Sequence, residues 1–154
     1  MLPKFHILYG LLLSLAVLFL FPQIGFVGFL IIWVSSVLID IDHYLYFVWL
    51  KKDFNPKNAF KWFMDNNKRY NLLPKSERKK YYFGNYFLHG FEAIFILVLL
   101  FYLTKNMFIL YILLGFLFHQ IIDFIDLYKK NIKSYKLLSF FYSVYKNKER
   151  RLLE

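Results

Sequence analysis

The sequence predicts an all-α, polytopic membrane protein: one domain over residues 1–154, a four-helix transmembrane bundle with amphipathic segments along the interface. Three observations predict it. Of the 154 residues, 59% are hydrophobic and 23% aromatic, beyond the roughly half that a soluble domain carries. The excess is gathered in four apolar blocks, 5–21, 24–50, 86–104 and 107–127. Each has close to the ~20 residues that cross a hydrocarbon core at ~1.5 Å per residue. The basic residues, finally, fall almost entirely on one side of the path these blocks would trace.

None of the blocks alternates with period two, so each reads as helix. The first follows Lys4 as a signal peptide would, but Leu20-Phe21-Pro22-Gln23 offers no small-x-small cleavage site, and a retained helix is expected. A short turn at 22–23 leads into the second block. The connection 51–85 mixes Phe54, Phe60, Trp62, Phe63, Met64 and Tyr70 with many lysines and is punctuated by Pro56 and Pro74. That is the pattern of short helices in the headgroup layer, with aromatics dipping and lysines snorkelling. The tail 128–154 has the same character, with Ile132, Leu137, Leu138, Phe141 and Val144 among lysines. Attraction to anionic lipid accounts for both segments with fewer assumptions than a nucleic-acid partner, which is not expected. Cysteine is absent, which excludes disulfides and thiolate metal sites.

Net charge is +10, and its placement gives orientation. Of 20 Lys and Arg, Lys4 precedes the first block, ten lie from Lys51 to Lys80, Lys105 sits in the third connection, and eight follow from Lys129. Cytoplasmic loops collect Lys and Arg. A four-pass path in a cytoplasmic (inner) membrane, with both termini inside, leaves only Lys105 outside. Three or five passes would strand whole basic clusters on the wrong face.

The chemistry must lie among the ionisable residues of the apolar blocks, each of which costs about 2.5–3.5 kcal/mol to insert. All four histidines are there (His6, His43, His89, His119), with five of the ten acids (Asp40, Asp42, Glu92, Asp123, Asp126). Spacing stacks several on shared helix faces: His119, Asp123 and Asp126; Asp40 and His43; His89 and Glu92. Asp42 lies off the Asp40 face of an ideal helix, so its inclusion needs a local distortion or an indirect role. The topology drawn from Lys and Arg puts all nine in the cytoplasmic half of the membrane.

Five carboxylates and four imidazoles at low dielectric call for compensation, by protonation of some acids or by cations. Divalent metal is the simpler account. Imidazole with carboxylate suits zinc, and also iron or manganese, and nine candidates exceed the roughly four ligands of one site, implying two or three ions. The expected metal ligands are His6, Asp40, Asp42, His43, His89, His119 and Asp123, with Glu92 or Asp126 as general base. Any one of these residues alone would more ordinarily make an interhelical hydrogen bond or pair with a loop lysine; the set together points to metal.

At these residues the sequence resembles the small inner-membrane metal-dependent hydrolases, the YdjM-like family. The matching pieces are His6, Leu38-Ile39-Asp40-Ile41-Asp42-His43, Phe87-Leu88-His89-Gly90 and His119-Gln120-Ile121-Ile122-Asp123. The chain departs from the family pattern at Ile39, where Pro is usual, and at Asp126, where Thr is usual. It departs again in the window Gly84–Gly90, which lacks one histidine, an arginine and a threonine. The family is thought to be distantly related to zinc-dependent phospholipases C and P1-type nucleases. The resemblance therefore implies phosphoester hydrolysis at multinuclear zinc, on an anionic lipid or other phosphoester.

Other readings share the same ligands. A divalent-cation or proton carrier would use them as a transit site, though four helices would need to oligomerise. A b-type haem protein fits five carboxylates poorly. A non-catalytic membrane scaffold would hold a structural metal. No phosphate-binding Gly-rich loop, nucleophile elbow or dinucleotide fingerprint is present.

Overall fold

The structure is a computed structural model, and it describes residues 3–74, 76–82, 84–129 and 139–153. The chain is mostly helical. Two segments, Pro22–Lys51 and Met107–Tyr128, are long and apolar enough to cross a membrane, and Lys4–Leu20 and Phe91–Thr104 are shorter apolar helices.

Helix α1 (Pro3–Leu20) ends in a 3-10 turn, Pro22–Ile24. Gly25 has φ +62° there, a left-handed conformation that glycine adopts without a Cβ penalty, and α2 (Gly25–Leu38) sets out from it. One helix was expected over 24–50. Instead the chain breaks at Ile39–Asp40 and resumes as α3 (Ile41–Lys51). The amides of Asp40 and His43 bond to carbonyls only three residues back, Val37 O at 3.2 Å and Asp40 O at 3.1 Å. This tightened turn removes the register of an unbroken helix, in which Asp40 and Asp42 would stand about 200° apart.

The basic connection carries α4 (Pro56–Leu72), with Pro56 in its first turn and the Asn55 side chain accepting from Lys57 N at 3.0 Å. Hydrogen bonds from Asn55 N and Asn58 Nδ2 hold the Asp53 carboxyl below its usual range. Phe60 and Leu72 on α4 stay exposed, as an interfacial helix requires. The third apolar block becomes helical only at Phe91, as α5 (Phe91–Thr104), rather than at Tyr86. The amide of Leu88 donates to the Asp42 side chain at 3.0 Å instead of entering a helical ladder, and Gly90 is extended.

Helix α6 (Met107–Lys129) returns beside α5 and packs along α2. Small residues set that contact: a Cβ on Gly115 would collide with Ser35 Oγ and stand 2.7 Å from Ile32 O, and one on Gly28 would stand 2.9 Å from Tyr111. Because 28 meets 111 and 32–36 meet 115, α2 and α6 run parallel. A Cβ on Gly10 would strike Ser36 Oγ, and Trp33 Nε1 donates to Ile7 O at 3.1 Å, so α1 also packs closely on α2. Backbones this close are the packing mode of helices in lipid.

In the tail, α7 (Phe140–Asn147) is capped by Ser139, whose hydroxyl accepts from Tyr142 N. Strand β2 (Arg151–Leu152) pairs in parallel with β1 (Tyr81–Tyr82). Ile132, Leu137, Leu138 and Lys130 of the expected amphipathic tail lie outside the described residues. The interior is polar where a soluble core would be oily: His6, Ser14, Ser36, Asp42, His89 and His119 are fully buried, while Phe19, Phe26, Phe95 and Leu103 face outward.

Candidate metal centre

Four segments bring their ionisable side chains to one level. Helix α1 supplies His6; the α2–α3 turn and first turn of α3 supply Asp40, Asp42 and His43; the loop before α5 supplies His89; α6 supplies His119 and Asp123. Among the described residues, two groups have ligand atoms close enough to share an ion: His6, His119 and Asp123, and Asp40, His43 and His89.

Two carboxylates join the groups. Asp40 Oδ1 stands 3.4 Å from His89 Nε2, 3.6 Å from His119 Nε2 and 3.4 Å from His43 Nδ1. Asp123 Oδ2 lies 3.7 Å from His89 Nε2 and 4.0 Å from His119 Nε2, and its Oδ1 lies 3.4 Å from His6 Nε2. A charge-assisted hydrogen bond would draw such atoms to about 2.7–2.9 Å. Ligands about 2.0–2.2 Å from a tetrahedral ion stand about 3.3–3.6 Å from one another, closer to the 3.4–4.0 Å found here than hydrogen bonds would be.

Hydrogen bonding sets the tautomers. His119 Nδ1 lies 2.8 Å from Ser36 O. A carbonyl only accepts, so the proton is on Nδ1 and the lone pair is on Nε2. Among the described residues that buried Nε2 has no hydrogen-bond partner, and the same holds for Nδ1 of His6. His89 Nδ1 lies 3.0 Å from Asp42 Oδ2 and His43 Nδ1 lies 3.0 Å from Asp42 Oδ1. Both rings therefore donate through Nδ1 to one carboxylate. Imidazoles oriented this way by a carboxylate or carbonyl are the usual support of metal-ligating histidine. Stacking reinforces it, His6 on His119 at 4.0 Å and His43 on Tyr86 at 3.8 Å. The buried His and Asp side chains are thus a donor set that fits a divalent ion, and the same pairs would be ion pairs with protonated imidazoles.

The remaining expected residues sit otherwise. Asp42 belongs to neither group; its oxygens accept from His43, Leu88 N and His89, the indirect role left open by its spacing. Glu92 accepts from Ser139 Oγ and, at 3.0 Å, from Phe140 N, so it holds the start of α7. Asp126, half-buried, stands one turn beyond Asp123 on α6 and outside both groups. Sequence reasoning missed Ser36, whose carbonyl has no sequence signature, and Tyr86, which reads as an interfacial aromatic. It also missed Gln120, whose amide reaches Leu88 O at 3.5 Å and Gly90 O at 3.4 Å and braces the His89 loop.

No family model, curated protein or solved structure matches the chain.

Proposed function

We propose that this chain is a metal-dependent hydrolase of the cytoplasmic membrane, four-pass with both termini inside, that cleaves a phosphoester at the cytoplasmic face. One observation carries the reading: imidazole Nε2 atoms and two carboxylates from four separate segments converge at 3.4–4.0 Å, with the rings of His89 and His119 each aimed by a second hydrogen bond. The parallel course of α2 and α6 supports the path, since the second and fourth passes of a four-pass chain run the same way.

His6, His119 and Asp123 would hold one ion and Asp40, His43 and His89 another, with zinc the best match to this donor set. When bound, such ions supply Lewis acidity toward a phosphoryl oxygen and acidify water at neutral pH. The chain's own residues do the rest. Asp42 fixes two rings in the tautomer that presents Nε2. Ser36 O does the same for His119. Asp126, one turn from Asp123 on α6, would take the proton. Asp40 and His43 keep 26% and 21% of their side chains exposed, against at most 4% for His6, His89, His119 and Asp123. Substrate would therefore enter past Asp40 and His43, the more exposed members of the set.

The deciding experiment is elemental analysis of protein purified without chelator, followed by assay of the same preparation on phosphomono- and phosphodiesters. Bound divalent metal with chelator-sensitive hydrolysis is expected. Full metal occupancy without hydrolysis would favour the scaffold, and metal flux in proteoliposomes the carrier.

A further inference from the structure

Helix α4 of the basic connection reaches the His43 side of the His/Asp centre. Its inward stripe runs through Ala59, Phe63, Asn66 and Tyr70, while Lys57, Phe60, Lys61 and Lys68 stay exposed on the opposite face. The Phe63 ring meets the ring of His43 edge-on, centroids 5.4 Å apart, and lies 6.5 Å from the ring of Tyr86. Beside it, Trp62 packs on Phe63 at 4.8 Å and on Phe47 of α3 at 5.8 Å. His43 and Asp40 are the more exposed members of the centre, so α4 is seated where the centre can be approached.

One turn beyond Phe63, Asn66 interrupts the apolar stripe. It is 2% exposed, and among the described residues its amide nitrogen has no hydrogen-bond partner. An amide buried without an acceptor opposes the packing around it, whereas an apolar side chain there would not. The seat of α4 is therefore weaker than its aromatic contacts alone would make it. Any movement that brings Asn66 to water recovers the difference.

Both ends of α4 are tied. Tyr44 Oη donates to Phe54 O at 2.7 Å just before the helix, and Arg78 donates to Asn71 O at 2.8 Å and to Leu73 O at 3.0 Å at its close. A helix held at both ends moves by rolling about its own axis. Phe63 and Asn66 share a face, so a roll that carries one off His43 carries the other outward.

We infer that α4 is a lid that rolls to uncover the His43 side of the centre, and that buried Asn66 keeps its closed seat weak enough to open. Lids of this kind gate access to a site without taking part in its chemistry. The inference goes beyond the hydrolase reading, since a carrier built on the same residues would be gated in the same way.

The test uses the full-length protein in phosphatidylcholine nanodiscs, treated with chelator so that no ion competes for the rings. The chain has no cysteine, so Ala59→Cys places a single thiol on the inward stripe, where Ala59 is buried. Its reaction with a maleimide reports the roll, with the exposed Lys68→Cys as reference. Acylation of His43 by diethyl pyrocarbonate, read by mass spectrometry, reports the uncovered site. Ala59→Cys should react, more slowly than Lys68→Cys. Adding Asn66→Leu should slow both the thiol and the His43 reactions about tenfold, because the closed seat loses its unpartnered donor. Phe63→Ala should speed both, and in a fixed helix it would leave the thiol at position 59 unchanged. An inert Ala59→Cys, or thiol rates that neither Asn66→Leu nor Phe63→Ala alters, would overturn the lid. Neither readout uses turnover, so a protein that hydrolyses nothing leaves the inference standing if the rates move as expected.

Discussion

The carboxylate of Asp42 accepts from the ring of His89 at 3.0 Å, joining α3 to a loop 47 residues further along the chain. It also accepts from Leu88 N and from His43, so one buried acid orients two imidazoles and fixes the loop that carries one of them. Asp42→Asn keeps the shape but loses the charge and one acceptor. We expect metal affinity to fall about 10–100-fold, the usual effect of removing a partner that orients a ligand, measured by competition with a chelating dye. His119→Ala and Asp123→Ala should lose metal from their group altogether. An Asp42→Asn protein with unchanged affinity would show that the two rings need no such support.

How much of this was legible follows from where helices are continuous. His119 and Asp123 sit four apart on the unbroken α6, so their spacing was enough to put both on one helix face. His89 and Glu92 were paired by the same rule, but Tyr86–Gly90 is not helical, and the two side chains part, one to Asp42 and the other to Ser139. Asp42 resisted placement because the turn at Ile39–Asp40 is made by tertiary contacts of acids that local periodicity cannot anticipate. The strand pair Tyr81–Arg151 and Tyr82–Leu152 joins segments 70 residues apart and left no local pattern at all.

Glu92 offers a second test, because its two roles predict opposite results. As the anchor of α7, it should loosen the tail when removed: Glu92→Ala should speed amide exchange and proteolysis across 139–153 while metal content and turnover hold. Ser139→Ala should act the same way, at about 1 kcal/mol for a lost cap. A fall in turnover of about 10²–10⁴-fold with an undisturbed tail would instead make Glu92 the base.

The α2–α6 seam predicts a stability effect that reaches the metal. Gly115→Ala places a Cβ 2.7 Å from Ile32 O and 2.9 Å from Ser36 N. Backbone must move, at a cost of about 1–3 kcal/mol for overpacking. The shift carries Ser36 O away from His119 Nδ1, so weaker metal binding should accompany the lower melting temperature in detergent. Melting with intact metal affinity would separate the seam from the site.

Orientation is tested by accessibility from outside the cell. A cysteine at Asn106 should react with an impermeant maleimide added to intact cells, whereas cysteines at Lys68 and Lys148 should react only after lysis. All three positions are exposed, so a silent site reports sidedness and not burial. The reverse labelling would place the basic clusters outside and remove the cytoplasmic entrance.

The last prediction concerns the chemistry. If Asp40 and Asp123 stand between imidazoles because ions hold them there, removing the ions takes the compensating charge away from a buried donor set. Chelation should therefore lower the melting temperature of the purified protein, and zinc should restore it in proportion to occupancy, since a ligand that binds only the folded state stabilises it by mass action. Hydrolysis should return along the same titration. Asp126→Asn should keep the zinc-dependent gain in melting temperature and lose about 10²–10⁴-fold in turnover, because it removes a proton acceptor and not a ligand. Loss of the melting shift in Asp126→Asn would make Asp126 a ligand, and no melting shift in the wild type would mean that His and Asp hold one another as ion pairs without metal.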